Sequence, residues 1–114
     1  MKFLIVDDEA DIGFVVSFEL KTLGHETVSL GSVAEAISYL REETPDVILC
    51  DYQMPKASGL ELLTWLRLQD KRIPFYLLTG EPVLETKDLL KDGVENILFK
   101  PQDLLKLSTL FKHK

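Results

Sequence analysis

Residues 47–51 read Val47-Ile48-Leu49-Cys50-Asp51: four apolar side chains in succession, then a carboxylate. A short unbroken apolar run suits a strand buried on both faces, as in a parallel sheet. Pro45, just before it, keeps any preceding helix from running on. Phe3-Leu4-Ile5-Val6 is a run of the same kind, ending in Asp7-Asp8-Glu9. Phe75-Tyr76-Leu77-Leu78 ends in Thr79-Gly80, and Ile97-Leu98-Phe99 ends in Lys100-Pro101. Thr27-Val28-Ser29-Leu30 alternates instead, which places it nearer a sheet edge.

Helical patterns fill the gaps. Ile12, Val15, Val16, Leu20 and Leu23 recur at helical spacing, with Gly24 as C-terminal cap. Ser32-Val33-Ala34-Glu35 and Ser58-Gly59-Leu60-Glu61 are capping boxes. The first opens a helix running to about Glu42, and the second opens one carrying Leu62, Leu63, Trp65 and Leu66. Pro82 and Gly93 bound a fourth helix of weak apolar character (Val83, Leu84, Leu89, Leu90), and Pro101 opens a fifth. Strands alternating with helices give an α/β fold. Right-handed crossovers predict a five-stranded parallel sheet in the order 2-1-3-4-5, flanked by five helices, a flavodoxin-like doubly wound arrangement.

Length and composition agree. The chain has 114 residues, 46% hydrophobic and 28% charged, which fits one globular domain over residues 1–114. The lone Cys50 excludes an internal disulfide framework and suits a reducing, cytoplasmic compartment. No apolar segment approaches the ~20 residues of a membrane span, and no signal peptide is evident. Thirteen basic against 19 acidic residues give a net charge of −6, which argues against direct nucleic-acid binding.

In open sheets of this kind ligands bind beyond the carboxyl ends of the strands. Asp7, Asp8, Asp51, Thr79 and Lys100 follow the apolar runs and so should meet there. Three carboxylates cannot all stay ionised close together without compensation, and a hard cation such as Mg²⁺ with oxygen ligands provides it. A carboxylate beside Mg²⁺ and a lysine can attack phosphorus and form an aspartyl phosphate. Asp51, ending the run expected at the sheet centre, is the natural nucleophile. Adjacent Asp7 and Asp8 should point to different sides of the chain. Thr79 offers a hydroxyl to a phosphoryl oxygen, and Gly80 leaves room beside the backbone.

These motifs resemble the receiver domain of two-component response regulators, including the CheY-like single-domain form. The matching pieces are Ile5-Val6-Asp7-Asp8-Glu9, Asp51-Tyr52-Gln53-Met54-Pro55 with Gly59, Leu78-Thr79-Gly80 and Phe99-Lys100-Pro101, in the family's order along nearly the whole chain. The resemblance implies phosphoryl transfer from a sensor histidine kinase or phosphotransfer protein to Asp51. It implies Mg²⁺ held by Asp8, Asp51 and the Gln53 backbone carbonyl, with Asp7 acting through water. It further implies that Lys100 contacts the phosphoryl group and that the Lys100-Pro101 bond is cis. It assigns an output to an unnamed downstream protein, and it offers a homodimer through the fourth helix, last strand and fifth helix. Apart from gaining and losing its own phosphoryl group, such a domain is no enzyme.

One position departs from the pattern. The family carries Tyr or Phe three residues before the lysine, where this chain has Ile97; Phe99 shares its strand face. The switch and partner surface is therefore assigned to Thr79, Gly80, Glu81, Ile97 and Phe99, with a weaker coupling than usual expected. Three other readings compete: a receiver-like scaffold with weakened switching, a metal-dependent phosphohydrolase, and a nucleotide- or flavin-binding module. The hydrolase lacks a second acid beside Asp51 and a cap domain. The nucleotide module is opposed by Asp7-Asp8-Glu9, where such modules place glycines. Cys50 reads as a core thiol, and His25, after a glycine, as solvated at a surface turn.

Overall fold

Each apolar run becomes a strand, and each amphipathic stretch that the structure describes becomes a helix. The computed structural model describes residues 1–80, 93–100, 103, 104 and 107–111, with Ser108 described through its backbone alone. In chain order the elements are β1 (Lys2–Val6), α1 (Ala10–Thr22), β2 (Glu26–Leu30), α2 (Val33–Glu42), β3 (Val47–Asp51), α3 (Gly59–Leu68), β4 (Phe75–Thr79), β5 (Asn96–Phe99) and a C-terminal helical segment, Leu107–Leu110. The sheet order is β2-β1-β3-β4-β5 and every neighbouring pair is parallel. The predicted topology is therefore present. The expected fourth helix (81–92) and the Lys100-Pro101 bond lie outside the described residues.

Alternation along the strands divides the core into two layers. Leu4, Val6, Ile48, Cys50, Leu77 and Ile97 face one side with Leu40, Leu62 and Leu66 from α2 and α3. Phe3, Ile5, Val47, Leu49, Leu78 and Leu98 face the other, with Val16, Leu20, Leu107 and Phe111. Full burial of one such side chain contributes about 1.5–3 kcal/mol, so these layers dominate the fold's stability. β2 lies at an edge, as its alternation predicts, and is only partly buried.

Local signals set the helix ends. The Ser32 hydroxyl accepts the Glu35 N–H at 3.1 Å, and the Glu35 carboxylate accepts the Gly31 N–H at 2.9 Å. In α3 the Ser58 N–H donates to the Glu61 carboxylate at 2.7 Å. α1 ends in a Schellman turn: the His25 N–H reaches Leu20 O, the Gly24 N–H reaches Lys21 O, and Gly24 has φ +90°.

That turn corrects the reading of His25, which is 5% exposed rather than solvated. Its ring lies 5.0 Å from the Phe3 ring, its Nε2 is 2.8 Å from the Phe111 carbonyl, and its Nδ1 is 3.1 Å from the Met1 amine. A sequence reading sees only the preceding glycine; the cover comes from the C-terminal end of the chain.

Candidate functional site

β1 and β3 are adjacent, so their carboxyl ends bring Asp7, Asp8 and Asp51 together. One carboxylate oxygen from each lies within 4.8 Å of the other two. Backbone hydrogen bonds beyond the strands fix the rim: the Asp7 N–H reaches Leu30 O at 3.0 Å, Tyr52 N–H reaches Leu78 O at 2.8 Å, and Lys100 N–H reaches Thr79 O at 2.7 Å. The register also sets Thr79 opposite Phe99. Four strand ends thus supply the site, as the sequence predicts.

Asp7 and Asp8 diverge as expected. Asp7 is 3% exposed, whereas Asp8 is open to solvent. Asp7 Oδ1 accepts the Glu9 N–H at 2.9 Å, and its Oδ2 pairs with the Lys100 ammonium at 2.7 Å. Lys100 also lies 3.4 Å from Asp51 Oδ1 and 3.6 Å from Glu9 Oε1. Glu9 therefore joins the electrostatics of the site; its place beside Asp7-Asp8 was the only sequence signal for it.

The charges are unevenly compensated. Burial pushes the Asp51 carboxyl up to about 6, with the Asp7 charge and an Asp8 hydrogen bond acting in the same direction. Lys100 and the Gln53 N–H, at 3.4 Å from Asp51 Oδ1, pull it back down. For Lys100, burial lowers the pKa, but the Asp7 hydrogen bond and the charges of Asp7, Asp51 and Glu9 outweigh it, so the net shift is upward. The lysine is thus firmly cationic, yet its one ammonium is shared among three carboxylates, with the Asp8 carboxylate beside Asp7 and Asp51. The donor set matches a small divalent cation: hard, anionic oxygens, close enough to share one ion.

The β3–α3 loop frames Asp51. Gln53 bridges to Ser58, and the Gly59 N–H donates to Tyr52 O at 2.9 Å. Gly59 permits this close return. A Cβ there would lie 2.5 Å from the Asp51 carbonyl oxygen, 3.0 Å from Leu77 Cδ2 and 3.2 Å from Cys50 Sγ. Cys50 is a buried core thiol, its pKa raised by burial and then by Asp51 and Asp7, with Lys100 opposing. A thiol kept protonated in this way is inert.

The remaining predicted residues divide. Thr79 is 3% exposed at the end of β4, and Gly80 is exposed with open space where a side chain would stand. Ile97 is 5% exposed and packs in the layer that faces α2 and α3; Phe99, half-buried, packs against the same layer. Glu81 lies outside the described residues.

A parallel sheet of this order thus carries an acidic cluster and a lysine at its carboxyl edge, where a divalent cation could be held. Comparison with known proteins gives the class. Residues 3–112 match the model of the response regulator receiver domain, and the chain belongs to that family. Phosphorylation on aspartate and Mg²⁺ binding are general features of the family, whose members work with histidine kinases and downstream targets.

The chain is 36% identical over 110 residues to the response regulator protein PilR of Pseudomonas aeruginosa, covering 96% of this chain and 25% of that one. It is 32% identical over 101 residues to the alkaline phosphatase synthesis transcriptional regulatory protein PhoP of Bacillus subtilis, covering 88% of this chain and 42% of that one. The chain therefore spans less than half the length of these relatives. Among solved structures it is similar to the chemotaxis response regulator CheY4 of Vibrio cholerae, with TM-score 0.84, 31% identity and 96% of each chain covered. Among the described residues no helix is long and apolar enough to cross a membrane.

Proposed function

We propose that residues 1–114 form a receiver domain acting as a phosphorylation-controlled signalling switch in the cytoplasm, with Asp51 as phosphoacceptor. The observation that carries this reading is the clustering of the Asp7, Asp8 and Asp51 carboxylates around the end of β3, with the Lys100 ammonium 3.4 Å from Asp51 Oδ1. A carboxylate oxygen of Asp51 attacks phosphorus on the phosphohistidine of a sensor kinase or phosphotransfer protein. The new O–P bond forms as the P–N bond breaks, and its electron pair stays on the imidazole nitrogen. Lys100 holds charge on the phosphoryl oxygens, and the Thr79 hydroxyl donates to one of them.

Asp8, Asp51 and the Gln53 carbonyl are the ligands for Mg²⁺, with Asp7 acting through water. Both Asp7 oxygens already have partners, in Glu9 N–H and Lys100, which supports its indirect role. When bound, Mg²⁺ supplies neutralisation of charge on the transferring phosphoryl group.

Phosphorylation then shifts the buried Thr79 and, through Gly80, Glu81, the buried Ile97 and the half-buried Phe99, alters the neighbouring surface that a downstream protein reads. A homodimer through the fourth helix, β5 and the C-terminal helix uses part of the same surface. The second reading, a scaffold with weakened switching, draws on Ile97: a branched aliphatic fills the buried place where the family has a ring.

Incubation with Mg²⁺ and acetyl phosphate, followed by intact mass, tests the switch. One phosphoryl adduct is expected, absent in Asp51→Asn and without Mg²⁺. Absence of any adduct, with this donor and with histidine kinases, would leave the scaffold. Multiple turnover on phosphate esters would make the protein a hydrolase.

A further inference from the structure

Beside the acidic site lies a groove of about 530 Å³ between the start of α2 and the β3–α3 loop. Its walls are mainly Val33, Ile37, Met54, Pro55 and Ala57, and Asp8 stands at its rim. The volume falls within the range of small-molecule pockets, roughly 300–1,000 Å³. No step of phosphoryl transfer uses the α2 wall.

The surrounding charges select the ligand. The N-terminus of α2 would ordinarily attract an anion. Here the Glu35 carboxylate has taken the Gly31 N–H and the Ser32 hydroxyl the Glu35 N–H, so that end is already capped and carries a negative charge. At the other end one Asp8 carboxylate oxygen lies within 4.8 Å of those of Asp7 and Asp51, and the Lys100 ammonium is already shared among Asp7, Glu9 and Asp51. Among the described residues Lys56 is the one cation on the groove's lining, and it is exposed. An apolar trough ending in excess negative charge is complementary to an amphiphile with an apolar body and one cationic head.

We propose that this groove is a binding site for small arylalkyl or alkyl ammonium compounds, with the apolar body against Val33, Ile37 and Met54 and the ammonium at Asp8. Binding there and metal binding draw on the same Asp8 carboxylate and are mutually antagonistic. The antagonism rests on the metal reading given above; occupancy of the groove does not.

The test uses the metal-free protein and 2-phenylethylammonium chloride, followed by ¹H–¹⁵N NMR titration. Saturating shifts are expected at Val33, Ala34, Ile37, Met54 and Ala57, with millimolar affinity. Ethylammonium, lacking the ring, and 3-phenylpropionate, carrying the opposite charge, should each bind at least tenfold more weakly. Ala34→Phe, at an exposed helix position, fills the groove and should abolish the shifts while the rest of the spectrum keeps its dispersion. Asp8→Asn should weaken binding about tenfold. Shifts absent or spread elsewhere, or equal binding of 3-phenylpropionate, would overturn the site. Groove shifts that persist unchanged when Mg²⁺ is added would overturn the antagonism alone, whereas failure of the acetyl phosphate reaction would bear only on the phosphoryl site.

Discussion

Lys100 Nζ stands 2.7 Å from Asp7 Oδ2 and 3.4 Å from Asp51 Oδ1, so a single ammonium joins the ends of β1, β3 and β5. The side chain is nearly enclosed, and both of these aspartates are buried. Removing one partner of such a group leaves the others uncompensated. Lys100→Ala is expected to lower metal-free stability at pH 8 by about 3 kcal/mol in urea unfolding. At pH 5, where the raised Asp51 group takes up a proton, the loss should shrink. An equal loss at both pH values would show that Lys100 acts through packing.

Asp51 gives the opposite sign. Its carboxyl titrates near 6 in the fold, above the ordinary carboxylate value, so the folded state binds more protons than the unfolded chain. Stability from this group is full below about pH 4 and declines as pH rises through about 6. Asp51→Asn removes the penalty and should stabilise the metal-free protein at pH 7.5 by about 1–2 kcal/mol, with little change at pH 4. Mg²⁺ should raise the melting temperature of the wild type more than that of the variant. Differential scanning calorimetry across this pH range checks both.

Gly59 is a packing constraint on the phosphoacceptor. The 2.5 Å approach of a Cβ to the Asp51 carbonyl oxygen cannot be relieved by a flexible side chain, because the atom is backbone. Gly59→Ala should cost about 1–3 kcal/mol and displace the end of β3. The acetyl phosphate reaction should slow while Mg²⁺ affinity also falls. A variant of wild-type stability and reactivity would contradict the structure here.

Ile97 predicts a muted response. It is buried in the layer facing α2 and α3, and an aliphatic side chain has no large ring to swing between exposed and buried positions. On phosphorylation, NMR shifts at Thr79 should exceed those at the Ile97 methyl groups. Large shifts at Ile97 and across residues 83–91, equal to those at Thr79, would show full coupling without a ring.

His25 secures the opposite end of the molecule. Its ring nitrogens face the Met1 amine and the Phe111 carbonyl, and its face meets Phe3. His25→Ala should destabilise by about 2–3 kcal/mol, by loss of packing and of the buried partner of Phe111 O. Phosphoryl acceptance should be retained, since His25 lies at the far ends of the strands. Hydrogen exchange at Leu107–Phe111 should accelerate in this variant.

Sequence alone determined the architecture because it is written in local patterns. Unbroken apolar runs demand burial on both faces, and capping boxes and Gly24 mark helix ends where they fall. The same logic made the site legible: Asp51 and Thr79 close strands, Asp7, Asp8 and Lys100 follow them, and a parallel sheet gathers such residues at one edge. Distances between segments remote in sequence were not legible. Only the tertiary structure decided that Lys100 pairs more closely with Asp7 than with Asp51, and that Glu9 shares its ammonium. It also decided that His25 is covered by Phe111 and that an apolar groove opens beside Asp8. Hydrophobic periodicity specifies which face is buried, whereas electrostatic pairing and cavity shape depend on the packing of elements far apart in the chain.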